Sequence, residues 1–187
     1  DLYTPSSPDF NFGTGDFTID YWFKFSNTSA SFVGVFRDDN GNNRNYRFVV
    51  NSNNSSIVVG INSVNTKYES FTPDTNWHHV AFVRNRTDLM IFLDGVQLGS
   101  PTTDSSDLTY STGLSIGNRA STESGWMNDI RISKGIARWT SNFALPAQKP
   151  AVDSYAKLLV SADPVAQRMK DFSSTPHSLT VYGDVSV

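Results

Sequence analysis

Phe17-Thr18-Ile19-Asp20-Tyr21-Trp22-Phe23-Lys24-Phe25 places an apolar residue at every odd position and Thr, Asp, Trp and Lys at the even ones. Side chains on a β-strand alternate between faces, so this period of two gives one dry face and one mostly polar face. That is the pattern of an antiparallel sheet with one side on a core. Trp22 is the exception, a large ring on the polar face, placed to cover the sheet's concave side or to meet a partner.

The same reading extends in both directions. Residues 31–37 (SFVGVFR) and 45–50 (NYRFVV) are two further strands around a polar hairpin loop, residues 38–43 (DDNGNN). Residues 56–61 and 67–71 follow, with a turn at 62–65. Residues 77–84 (WHHVAFVR) and 89–93 (LMIFL) come next, and Asp94-Gly95 is a favoured two-residue turn before residues 96–98. Residues 114–117 and 126–133 complete the main series. Strands every 8–12 residues with turn chemistry between them predict a β-sandwich. Only residues 133–139 (SKGIARW) read as helical, for a turn or two. The stretch 146–153, with Pro146 and Pro150, reads as a linker, and residues 157–160 and 178–182 as two more strands.

Composition agrees with an all-β chain of one domain. The 187 residues include 16 Asn, 25 Ser and 16 Thr but only 2 Glu, which suits strands and turns and leaves few strong helix formers. Thirteen Phe, 7 Tyr and 4 Trp supply a core. The net charge is −3 and the 15 basic residues are scattered, so the basic stripe that nucleic acid requires is missing. No apolar run approaches the roughly 18 residues of a membrane helix, so insertion is not expected. The absence of Cys removes disulfides, thiolate metal sites and thiol nucleophiles. Sequons at Asn27, Asn53, Asn54 and Asn85 are what chance gives in so Asn-rich a chain. The first residue is Asp1 rather than Met, and the chain reads as a processed or excised piece of something longer.

Five segments in order carry a family resemblance. Pro8–Gly13 with Gly15–Trp22, Trp77–Ala81, Leu93–Val96, Leu114–Gly117 with Gly125–Gly135, and Ala137–Phe143 together resemble laminin-G-like domains of the concanavalin A-like lectin/glucanase superfamily, of the type found in phage tail and bacterial surface proteins. The resemblance implies a jelly roll of two antiparallel sheets. It also implies an extracellular, cell-surface or virion setting. Residues 156–160, 171–174 and 177–181 resemble the beginning of such a domain rather than its end. Either they start a following repeat, or they complete in permuted order the sandwich that residues 1–145 leave open. The second is expected, because a half-module would expose sheet edges.

Catalysis is not expected. Glycosidases of this superfamily need two carboxylates about 5–9 Å apart, and Glu69 and Glu123 stand in separate segments. Asp16 and Asp20 are about 13 Å apart along one strand. His78, His79 and His177 have no nucleophile and orienting acid marked beside them; His79 is expected on a half-buried face and His78 outside.

What remains is recognition. The resemblance implies a non-catalytic adhesion module for a cell-surface glycan or host receptor; the alternative is a structural or decoration module of a virion, contacting other copies or neighbouring chains. Loops supply aromatic platforms with amides beside them. On that ground Trp126, Asn118 and Arg119 are candidate ligand-binding residues, with Asp38, Asp39, Asn40 and Asn42 of the hairpin loop. Trp77 and Trp139 are expected to pack. The resemblance also implies a structural calcium ion, with Asp129 and Asp171 as candidate ligands, since Ca²⁺ takes hard oxygen donors.

Overall fold

The computed structural model describes residues 1–29, 31–39, 43–117, 125–145, 147–163 and 168–181. Fourteen strands run in order: β1 Leu2–Thr4, β2 Phe17–Phe25, β3 Phe32–Asp39, β4 Asn43–Asn51, β5 Ser56–Ile61, β6 Val64–Ser70, β7 His78–Asn85, β8 Asp88–Leu93, β9 Val96–Thr103, β10 Leu114–Gly117, β11 Gly125–Lys134, β12 Ala156–Asp163, β13 Arg168–Asp171 and β14 Thr180–Val181. One sheet has the order β14-β1-β10-β3-β4-β5-β6, the other β13-β12-β11-β2-β7-β8-β9. All pairings are antiparallel. This is a two-sheet jelly-roll sandwich.

The alternation in β2 decides the packing. Phe17, Ile19, Tyr21, Phe23 and Phe25 are buried in the main core, together with Phe48, Val50, Ile57 and Val59 from the facing sheet and Val80, Phe82 and Ile91 beside them. Each such side chain contributes about 1.5–3 kcal/mol by leaving water. The Tyr21 hydroxyl crosses between the sheets and donates to the Phe48 carbonyl at 3.1 Å, so its burial leaves no orphan donor.

The last three strands join both sheets. β12 pairs with β11 through Ile130↔Val160 and Ile132↔Leu158, and Leu158 and Val160 enter the main core. β14 pairs with β1 through Leu2↔Val181. Strands β1 and β13 lie outside the stretches that the sequence marks as strands; both are short.

The second sheet is covered on its outer face as well. Ala81, Val83, Met90 and Phe92 form a second apolar cluster, closed by Ala137, Trp139 and Phe143. The segment 136–143 is thus a strap rather than the helical turns expected at 133–139. Strand β11 runs on to Lys134, and Gly135 then takes φ +82°, a left-handed turn that directs the chain back across the sheet. Arg138 N–H donates to Thr18 Oγ1 (2.9 Å) and Phe143 N–H to the Gly95 carbonyl (2.9 Å), fastening the strap at two points.

Candidate functional site

Beyond the strap, the outer face of the second sheet is open, and the strand registers say what stands on it. Trp126 lies opposite Lys24, and Asn128 opposite Trp22. Trp22 in turn lies opposite His79, and Phe23 opposite His78. Strand alternation therefore puts Trp126, Lys24, Asn128, Trp22 and His79 on one face. Trp77 precedes β7 with the same parity as His79 and lines a groove together with Trp22.

That groove has a volume of about 380 Å³ and is lined by Trp22, Trp77, Asn128, Asp129, Ala147, Gln148 and Lys149. Asp129 reaches it through a β-bulge. The register between β11 and β2 slips between Asn128 and Arg131, and Asp129 sits at φ +48°, which an Asp tolerates better than most side chains. The bulge changes the facing residue on β11 from odd to even: Met127 packs on the core before it, and Ile130 and Ile132 are in the core after it. The Ser161 hydroxyl donates to Asp129 Oδ1 and orients the carboxylate. Lys149 Nζ donates to the Ala162 carbonyl at 3.2 Å, tying the opposite wall to β12. Trp77 is 46% exposed and Trp126 48%. Two indole rings with an amide, a carboxylate and an ammonium around one depression form a surface that can stack on a flat apolar ring face and hydrogen-bond hydroxyls at its edge.

The candidates from the sequence fall out unevenly. Trp126 is exposed on this face, with Lys24 Nζ 5.6 Å from its ring centroid. Asn118, Arg119, Asn40 and Asn42 lie outside the described residues, and of Asp38 and Asp39 only the backbone, at the end of β3, is described. Trp139 packs in the strap, stacked on Phe143 at 4.0 Å. Trp77, expected to pack as well, is exposed, because it stands before β7 begins, where the strap does not reach. His79 is buried, but on the outer face, against Trp22, Trp139 and Phe143. His78, expected outside, is half-buried with its ring 5.7 Å from that of Phe23. The segment expected to be a plain linker supplies Ala147, Gln148 and Lys149 to the groove wall.

Asp129 and Asp171 play different parts. Asp171 Oδ1 accepts the N–H groups of Leu159 and Ser173, both at 2.9 Å. Its Oδ2 accepts the Ser173 hydroxyl (3.0 Å) and the His177 N–H (2.7 Å), with His177 Nδ1 at 3.1 Å. Calcium takes six to eight oxygen donors. A carboxylate whose two oxygens are committed to five protein partners does not fit that role, and Asp171 serves as the anchor of the 172–177 loop. Among the described residues no cluster of three or more His, Cys, Asp and Glu side chains could hold a metal ion.

A model of the concanavalin A-like lectin/glucanase superfamily matches residues 3–136. The chain belongs to that superfamily. No curated protein matches it in sequence. Solved structures of similar fold include the carbohydrate-binding module CBM66 from Bacillus subtilis (17% identity, TM-score 0.46, covering 62% of this chain and 73% of that one). A botulinum neurotoxin type C structure, described by the toxin's interaction with two ganglioside molecules, shares 14% identity at TM-score 0.44, covering 63% and 32%. A Trypanosoma rangeli sialidase shares 13% at TM-score 0.44, covering 64% and 20%. Among the described residues no helix is long and apolar enough to cross a membrane.

This superfamily includes glucanases, so its carboxylates merit the same scrutiny. Glu69 is ion-paired to Lys67 Nζ at 2.7 Å, and Glu123 lies outside the described residues. Among the described residues, two pairs of Asp each flank an imidazole. Asp94 and Asp74 flank His78 at 2.7 and 2.9 Å, and Asp171 and Asp9 flank His177 at 3.1 and 3.3 Å. In both, the ring occupies the space a glycosidic oxygen would need. Asp74 is further held at a pKa of about 2, by the Asn76 backbone N–H first and by His78, so it carries no proton to donate. Ser7 Oγ lies 3.4 Å from His177 Nε2, a constellation the sequence did not mark. That nitrogen also faces Asp9, and Ser7 Oγ accepts the Asp9 N–H as the cap of the short 3-10 turn Pro8–Phe10. The hydroxyl is doing a structural job there.

Proposed function

We propose that this chain is a non-catalytic glycan-binding module, working outside cells on a cell surface or a virion, with its ligand on the outer face of the second sheet. The observation that carries this reading is the convergence of Trp22 and Trp77 with Asn128, Asp129, Gln148 and Lys149 on one groove. A sugar offers a C–H-rich face for stacking and a rim of hydroxyls, and the groove offers the complement of both. Asn118, Arg119, Asn40 and Asn42 remain candidate ligand contacts on sequence grounds.

The second depression, of about 550 Å³ and lined by Ser6, Ser7, Pro8, Asn11, Asn45, Thr109, Tyr110 and Ser111, is less suited. Its one aromatic residue, Tyr110, is half-buried and has its hydroxyl committed to Asn62 at 2.9 Å.

The test is a glycan array with the intact chain, repeated with Trp77→Ala. Binding by the parent that Trp77→Ala abolishes, with unchanged urea unfolding, supports the reading. Silence of the folded parent on the array contradicts it.

A further inference from the structure

Trp126 lies outside the groove, yet it shares a row with it. The pairs Trp126↔Lys24 and Asn128↔Trp22 set two successive rows across β11 and β2. On β7 the second row continues to His79, and the ladder ends at Phe23↔His78. Trp77, the next residue, is therefore level with Lys24. The first row reads Trp126, Lys24, Trp77 across three adjacent strands, and Trp22 fills the row behind it.

Neighbouring strands stand about 4.8 Å apart, so the backbones carrying Trp126 and Trp77 are about 10 Å apart. One pyranose ring cannot touch both indoles over that span, whereas the first and third of three consecutive sugars in a chain can. Both rings are about half exposed, which leaves stacking area available at each end. Between them Lys24 Nζ lies over the Trp126 ring at 5.6 Å, where an ammonium can donate to hydroxyl or ether oxygens of the sugar that bridges the two platforms. An isolated exposed tryptophan is ordinary; one aligned with a second across an otherwise polar row is the shape of a track.

We infer that the ligand is a linear oligosaccharide of at least three residues, lying across β11, β2 and β7, with Trp126 as an outer subsite and the Trp22–Trp77 groove as the inner one. This rests on the glycan-binding reading and sharpens it to chain-type rather than terminal-sugar recognition. Affinity should climb with chain length until both platforms are covered and then level off. The outer subsite contributes only to the longer ligands.

The experiment is calorimetric titration of the intact chain with cello-, chito-, xylo- and manno-oligosaccharides of two to six residues, repeated with Trp126→Ala, Trp126→Phe and Trp77→Ala. For the series that binds, the expected result is about a tenfold gain from dimer to the longer chains, the energy of one aromatic contact. Trp126→Ala removes that gain, Trp126→Phe restores much of it, and Trp77→Ala weakens every length. Equal affinity for all lengths, or a gain that survives Trp126→Ala, overturns the inference while leaving groove binding intact. A folded parent that binds no oligosaccharide, here or on the array, overturns both.

Discussion

Arg131 donates two parallel hydrogen bonds to Asp20, Nε to Oδ1 at 2.9 Å and Nη2 to Oδ2 at 3.0 Å. Both side chains are buried on the outer face of the second sheet, where Trp139 of the strap covers the guanidinium at 5.5 Å. His79 Nε2 stands 3.3 Å from the same carboxylate. A charged pair here seats the strap, and removing one partner strands the other's charge away from water. Arg131→Ala or Asp20→Ala should each cost about 3–5 kcal/mol in urea unfolding, and the double replacement Asp20→Leu with Arg131→Met much less than their sum. Additive losses would mean that the two residues act independently.

Gly95 is where the strap meets the β8–β9 hairpin. Its φ is +79°, and a Cβ there would come within 2.1 Å of the Phe143 carbonyl oxygen. Gly95→Ala should therefore lose more than the about 1–3 kcal/mol that backbone strain alone costs, because the strap must lift. Protease sensitivity around residues 136–143 would rise with it. An Ala variant as stable as the parent would show that the strap adjusts freely.

Residues 154–187 are expected to be indispensable to folding. Without residues 154–187 the β11 edge is bare and the core loses Leu158 and Val160. A chain ending at residue 153 should aggregate or show no cooperative unfolding. A soluble truncation that melts cooperatively would assign the tail to a separate unit.

His78 gives the protein a pH dependence of definite sign. Burial opposes its charged form, but the hydrogen bonds and charges of Asp94 and Asp74 outweigh that and raise its pKa above 6.5. A raised pKa means stabilisation that is full below about pH 6.5 and fades as the pH rises through the folded value. Asp74, lowered to about 2, acts in the opposite sense: its contribution is present above 3.8 and is lost as the pH falls toward 2. Urea midpoints of the parent should drop between pH 6 and pH 8 relative to those of His78→Gln. Parallel curves for the two proteins would contradict the assignment.

Much of this architecture is legible in the sequence, and for one reason. Period-two alternation in residues 17–25, and turn residues such as Asp94-Gly95, are local signals that survive packing. The functional face was less so. Trp22 announced itself by standing on a polar face, and Trp126 by its neighbours, but Trp77 looks like any strand-initiating aromatic. Its exposure depends on where the strap ends, some 60 residues later. The arrival of Asp129 in the groove depends on a bulge, and the only local hint is an Asn-Asp pair, tolerant of positive φ, inside a strand. The wall formed by residues 147–149 carries no signal beyond two prolines. The Ser7–His177–Asp171 arrangement joins positions about 170 residues apart and is fixed by β14 lying beside β1, which no local pattern reports.

In the proposed complex Trp77, on the open face beyond the strap, stacks on a sugar. The most direct measurement is the change in Trp fluorescence on titrating the intact chain with the best array ligand, in the parent and in Trp77→Ala of equal urea stability. Stacking on Trp77 should give a saturable change in the parent and at least about a tenfold loss of affinity in the variant, the energy of one aromatic contact. Unchanged affinity in Trp77→Ala would place the ligand elsewhere and rule that stacking out.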